Sequence, residues 1–277
     1  MDRAQFNKNV TIIGFLKFNL AVQNAIEMKK YLIVVLVGTL SSFTIYNQLQ
    51  VQEIVDKAIE NAGGSRYDHA VIHFTFRGKQ YSSKRDGGTY QLERFVEGSE
   101  GVIHDVVSNS GLERTIENCK VKVADSLITK ISDGVNSVHY FAGLPFGLNA
   151  DAVNKELVGE STVLGKRYYK IKVTFDQEGG GTDFEDEFLY WIHKDNFTID
   201  YLAYKYAVNE GGIRFREAYN PRVVNGIRFV DYSNYKTDDL KTPLSDLDQL
   251  FENKKLKLLS KIALEDIYVY IDKVAAN

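Results

Sequence analysis

Between Gln50 and Ala62 the apolar residues Val51, Ile54, Val55, Ala58 and Ile59 recur at helical spacing, and Gly63-Gly64 closes the run, so a helix is predicted there. The period then changes to two. Ala70, Ile72, Phe74 and Phe76 point to one side of an extended chain, with Val71, His73, Thr75 and Arg77 on the other. Arg77-Gly78-Lys79 and Asp86-Gly87-Gly88 read as hairpin turns, and strands are predicted at 79–85, 89–96, 101–107 and 112–123. A second helix is predicted within Asp133 to Ala142, stopped by Gly143-Leu144-Pro145-Phe146-Gly147. Alternation resumes at Leu157-Val158-Gly159 and continues through Tyr168–Phe175, Phe184–His193, Thr198–Val208, Ile213–Tyr219 and Arg228–Tyr235. A short helix over Ser245–Glu252, with Ser245 as N-cap, and one or two strands over Lys257–Tyr270 complete the pattern.

Many consecutive antiparallel strands with little helix define a mainly β (α+β) fold class. Two helices cannot cover one face of a flat sheet of this size, and a strongly twisted sheet curls. The expectation is a single large curved antiparallel sheet forming an open half-barrel around two or three helices. No Pro/Ser-rich linker, low-complexity segment or internal repeat interrupts 50–277, which reads as a single half-barrel domain. Such a trough keeps an apolar hollow wherever its helices do not fill it.

Ahead of this body, Met28-Lys29-Lys30 precedes an apolar run from Tyr31 to Leu40 and then Ser41-Ser42. A basic start, an apolar stretch too short for a confident span and small residues after it are the layout of a secretory signal. Residues 28–46 are therefore expected to be a signal peptide or N-terminal anchor, and 1–27 a gene-model extension. The protein is expected to be periplasmic or exported, or membrane-anchored through 31–45. The lone cysteine, Cys119, excludes a disulfide framework and reads as a structural thiol. None follows the apolar run, so lipidation is not expected. A net charge of −3 argues against coating nucleic acid, and 17 Tyr with 16 Phe favours β structure.

Candidate chemistry is sparse. Phe175 to Phe188 encloses an acidic, glycine-rich loop. As a twelve-residue calcium loop it places Asp176, Glu178, Gly181 and Glu187 at the first, third, sixth and twelfth positions. Gly180 and Phe184 supply no side-chain oxygen at the fifth and ninth, so a mobile hairpin with solvated acids competes with a weak cation site at Asp176, Glu178 and Glu187. Should the strand carrying Arg214 and Arg216 pair with 184–190, Glu185 and Glu187 would face the arginines, as an ion-pair network or an anion anchor. Gly159 to Arg167 fails the phosphate-loop spacing and reads as a hairpin at Gly165-Lys166. His69, His73, His104, His139 and His193 lie on separate elements without zinc spacing and are assigned to packing or solvent. The aromatic residues Phe74, Phe76, Tyr169, Phe175, Phe188, Tyr190 and Tyr201 form core or line a cavity for an acyl chain.

Leu144-Pro145-Phe146-Gly147-Leu148-Asn149, Val173 to Gly181, Tyr190-Trp191-Ile192 and Gly212 to Asn220 resemble a family of uncharacterised bacterial envelope proteins, over about Val51 to Tyr270. The resemblance implies the lipoprotein-carrier (LolA/LolB-like) fold, an open β half-barrel with a helical lid. Aldolase names attached to such sequences imply a β/α barrel with a Schiff-base lysine, which the strand-after-strand order contradicts. The leading expectation is a non-enzymatic envelope protein binding an apolar ligand, a lipid or lipidated protein, with no cofactor. Its partners would be an apolar small molecule or acyl chain and an envelope protein, without nucleic acid. The alternatives are a hydrolase or lyase using the acidic loop and arginine strand, and a structural partner-binding module whose core is filled.

Overall fold

A computed structural model describes residues 47–179, 181–182, 184–207 and 211–271. The chain divides into two compact units, Met1–Leu49 and Gln50–Asn277. The signal or anchor expected at 28–46 and the extension expected at 1–27 lie outside the described residues. No helix among the described residues is long and apolar enough to cross a membrane.

The second unit begins within α1, residues 47–62, which is followed by six strands in a meander. These are β1 (Ala70–Phe76), β2 (Lys79–Asp86), β3 (Thr89–Gly98), β4 (Gly101–Ser108), β5 (Gly111–Ile116) and β6 (Cys119–Val121). After α2 (Asp125–Ala142) come β7 (Val153–Val163), β8 (Lys166–Phe175), β9 (Glu187–His193), β10 (Ile199–Tyr206), β11 (Gly212–Val224) and β12 (Ile227–Lys236). The short helix α3 (Leu247–Glu252), β13 (Lys257–Ile262) and β14 (Glu265–Ile271) finish the fold.

The mainly β, antiparallel, open half-barrel reading holds, with one correction. The strands form two seven-stranded sheets, ordered β14-β1-β2-β3-β4-β5-β6 and β13-β12-β11-β10-β9-β8-β7. They part between β13 and β14, which are consecutive in the chain but belong to different ladders. At that seam the backbone of Leu264 finds side chains in place of a strand. Its N–H donates to Asp231 Oδ1 (3.0 Å) and its carbonyl accepts from Arg222 (2.6 Å), while Arg222 also pairs with Asp231 at 2.9 Å. Buried backbone groups need such partners when the ladder ends.

Helix α2 serves both sheets. Tyr140 and Phe141 pack with the α1 residues Val51, Ile54, Val55 and Ala58 against Ile171, Phe188, Tyr190 and Leu202 of the second sheet. Val138 and Ala142 lie against Ile72 and Phe74 of the first, and Val135 against Leu92 and Val107. The second sheet is buried on its other face too, where Tyr168, Leu189, Trp191, Ile213 and Phe215 are covered by Leu244, Leu247 and Leu256 around α3. The Trp191 indole donates to the buried Asp248 Oδ2 at 3.0 Å, which fixes α3 to that face.

Several sequence expectations shift. Helix α2 begins at Asp125, not Asp133, because Asp133-Gly134 is no turn: a Cβ on Gly134 would lie 3.1 Å from Arg94, so the glycine admits the guanidinium against the helix. The strand expected over 112–123 is broken at Glu117 and Asn118, both with positive φ. Strand β11 runs on past Tyr219 because Pro221 falls where its register with β12 shifts, at a bulge that spares the missing N–H. Ser245 is not the cap of α3; its hydroxyl donates to Asp246 Oδ1, and Leu244–Asp246 form a 3-10 turn. Cys119 is exposed on the edge strand β6, so a structural role for its thiol falls away.

Candidate functional site

Packing α2 across two sheets leaves a hollow along its flank. A cavity of about 600 Å³ lies between α2, the helix-facing side of β8 to β12, and the loop after β8. Strand parity explains the lining. Phe175, Phe188, Tyr204 and Tyr232 share the face toward α1 and α2, and alternate with residues buried under α3. The rings interlock: Phe188 stacks on Tyr204 (centroids 5.4 Å apart) and meets Phe175 and Tyr140 edge to face (5.7 and 5.8 Å).

Of the aromatic residues singled out in the sequence, Phe76, Phe175 and Phe188 line this cavity. Phe74 instead stacks on Tyr81 beneath His139 and borders a separate void of about 60 Å³. Tyr190 is buried in the floor, its hydroxyl 2.6 Å from that of Tyr140. Burial raises the pKa of both phenols well above the ordinary tyrosine range. Tyr169 shares the face of Phe175 but lies toward the other end of β8, under the Lys194 ammonium. Tyr201 points the other way, against Phe215 and Phe251, because a register shift between Ile199 and Tyr201 turns Leu202 and Tyr204 toward the helices. A bulge of this kind leaves no periodic trace in the sequence. Sequence reasoning accordingly missed Tyr204, along with Tyr140, Phe141, Tyr232 and Asn234, although the alternation Leu202, Tyr204, Tyr206 carried the signal.

The expected confrontation of acids and arginines does not form. Strand β11 pairs with β10 and β12, not with β9, so Arg214 and Arg216 lie opposite Tyr204 and Leu202. Glu187 instead pairs with Lys172 at 2.8 Å on the neighbouring strand. Both arginines turn into the cavity. Arg214 donates to its neighbour's carbonyl and to the Tyr206 hydroxyl. Arg216 donates to the Tyr204 hydroxyl at 2.9 Å and lays its guanidinium over the Phe141 ring, 3.8 Å from the centroid.

The acidic loop contributes a rim. Thr182 donates to Asp133 Oδ2 on α2 at 2.7 Å, and Thr182, Asp133 and Asp186 border the opening. Asp176 accepts from Asn154 at 2.7 Å while Glu187 is engaged by Lys172, so these two acids are drawn to different partners and not to a common centre with Glu178. Among the described residues no group of three acidic, histidine or cysteine side chains is arranged to hold a metal ion.

Residues 29–264 match the model of a family of unknown function (DUF6503). Among solved structures the chain is similar to a LolA superfamily protein from Nitrosomonas europaea, at 13% identity over 80% of this chain and 94% of that one, with a TM-score of 0.45. It is also similar to a DUF1329 family protein from Desulfovibrio piger, at 14% identity over 80% and 93% of the two chains, with a TM-score of 0.41. No curated protein matches the sequence.

Proposed function

We propose that this chain, which belongs to the family of unknown function DUF6503, is an exported, non-enzymatic protein that binds an apolar molecule in the hollow of its half-barrel. The observation that carries the reading is the cavity of about 600 Å³ floored by interlocked aromatic rings. A space of that size suits an acyl chain or a comparable small molecule, and ring faces give it contact area with little loss of side-chain freedom. A module with a completely filled core would not keep such a hollow. The floor is held from behind by α3, so an empty cavity is not simply closed by collapse of the sheet. Export rests on the layout of residues 28–46, and a lipid or a lipidated protein is the occupant that fits an envelope setting.

The test uses N-phenyl-1-naphthylamine, an uncharged apolar fluorophore, titrated into the full chain. Saturable binding is expected, together with its loss in Val138→Trp, which fills the hollow from α2. Absence of binding, or binding indifferent to Val138→Trp in a folded variant, overturns the reading. Native mass spectrometry of gently purified protein should also show a co-purifying apolar molecule.

A further inference from the structure

The cavity is not uniformly apolar. In its floor, Arg216 on β11 stands in register with Asn234 on β12, which in turn lies opposite Ser260 on β13 and donates to its hydroxyl at 3.3 Å. Arg216 and Asn234 are only 7% and 6% exposed. Each nevertheless keeps a buried polar atom without a hydrogen-bond partner among the described residues, the Nε of Arg216 and the Oδ1 of Asn234. Both residues line the cavity.

A guanidinium buried to this degree is costly unless something answers its charge. Elsewhere Arg94 and Arg114 clamp Asp105 and Arg222 holds Asp231, whereas Arg85, Arg214 and Arg228 are only half-buried and form no ion pair among the described residues. Arg216 has the Tyr204 hydroxyl and the faces of Phe141, Tyr204 and Tyr232, but among the described residues it forms no ion pair. Ring faces and a hydroxyl attract a cation without neutralising it. The fork therefore presents a full positive charge and a free N–H to whatever enters. Arg214, two residues along the same face and about 7 Å away, adds a second charge. Asn234 complements either protonation state of an oxyacid, because a half-turn of its carboxamide exchanges acceptor for donor.

We infer that the occupant is an amphipathic anion, whose carboxylate or phosphate head is held by Arg216 and Asn234 while its apolar part lies against Phe175 and Phe188. The inference rests on the cavity reading above and adds the head-group chemistry. Guanidinium suits this task because its planar fork gives two parallel charge-assisted hydrogen bonds to an oxyanion.

The test compares dodecanoate, dodecyl phosphate, dodecanol and inorganic phosphate on the full chain by calorimetric titration at neutral pH. At least one of the two amphipathic anions should bind about tenfold or more tightly than dodecanol, the gain expected of a buried charge-assisted pair. The two anions tell a carboxylate seat from a phosphate seat. Arg216→Gln should shrink the gap between anion and alcohol to within about threefold, and Arg216→Lys, which keeps the charge without the fork, should leave an intermediate gap. Equal binding of anion and alcohol by the unaltered chain overturns the head-group inference and leaves the apolar cavity standing. That comparison needs no substitution, so a variant that fails to fold cannot obscure it. Inorganic phosphate binding as tightly as dodecyl phosphate overturns the apolar half, and no binding by any of the four overturns both.

Discussion

In β9 of the second sheet, Phe188, Leu189, Tyr190, Trp191 and Ile192 are all buried, whereas no strand of the first sheet buries two apolar neighbours. The difference follows from what covers each. The second sheet has α1 and α2 on one face and α3 on the other, so both parities are apolar and the strand reads as a continuous hydrophobic run. The first sheet packs inward on α2 and on Ile227 and Phe229 of β12, with no helix on its other face among the described residues. Its other face carries Gln91 and the ion-paired Glu93 and His104. Even its inner face is partly polar: Asp105 on β4 is fully buried between Arg94 on β3 and Arg114 on β5, at 2.7 and 2.5 Å. One sheet is the floor of a cavity, apolar on both faces; the other covers α2 with an inner face that mixes apolar clusters and a buried charge triad.

The largest effect should come from breaking that charge. Asp105→Ala leaves two guanidinium groups without their carboxylate and should cost about 3–5 kcal/mol, read from urea denaturation. Replacing the triad together, as Arg94→Met, Asp105→Leu and Arg114→Met, makes this interior resemble that of the second sheet. It should return stability to within about 1–2 kcal/mol of the parent. A triple variant as unstable as Asp105→Ala would erase the distinction drawn between the sheets.

Next comes a pH effect confined to the cover. His139 on α2 is buried among Phe74 and Tyr81, with its Nε2 3.0 Å from the Glu93 carbonyl, and burial lowers its pKa from 6.5 to about 4. The unfolded chain therefore binds this proton more readily. Stability is fully present above pH 6.5 and declines as pH falls toward 4, by about 3 kcal/mol from this group. Denaturation between pH 7 and 4 should show the slope, and His139→Gln should flatten it. Asp105, whose carboxyl the two arginines hold below the usual range, adds its own loss only at still lower pH.

Smaller changes should mark the floor. Trp191→Phe keeps the ring but strands the buried Asp248 without its indole donor, at a cost of about 1–3 kcal/mol by thermal or urea unfolding. Glu187→Gln breaks only the partly exposed pair with Lys172 and should change stability by less than about 1 kcal/mol.

How much of this could be read from residues alone differs between the same two regions. Alternation and Asp-Gly turns marked the meander of the first sheet, because one wet face preserves period two. The second sheet reads as strands, but its alternation puts Tyr201 with the cavity aromatics, since a bulge reverses parity without altering composition. The cavity's aromatic half was partly visible through Phe76, Phe175 and Phe188. Its polar half is not visible, because Arg216 and Asn234 are joined only by register across two strands. The sequence sets the arginines against Glu185 and Glu187, whereas their ladder neighbours are β10 and β12. Strand order is a long-range property that local spacing does not encode.

The border between the sheets has a mechanical meaning. Where Leu264 is gripped by Asp231 and Arg222, the wall of the trough is fastened by a two-point clasp instead of a zipper. Zippers give way row by row, but a clasp releases in one event and leaves the teeth on either side intact. Since Leu264 also borders the hollow, the proposed ligand could pass at that margin without unravelling either sheet. Arg222→Leu should therefore speed release of a bound probe in stopped-flow measurements far more than it weakens either ladder in hydrogen exchange.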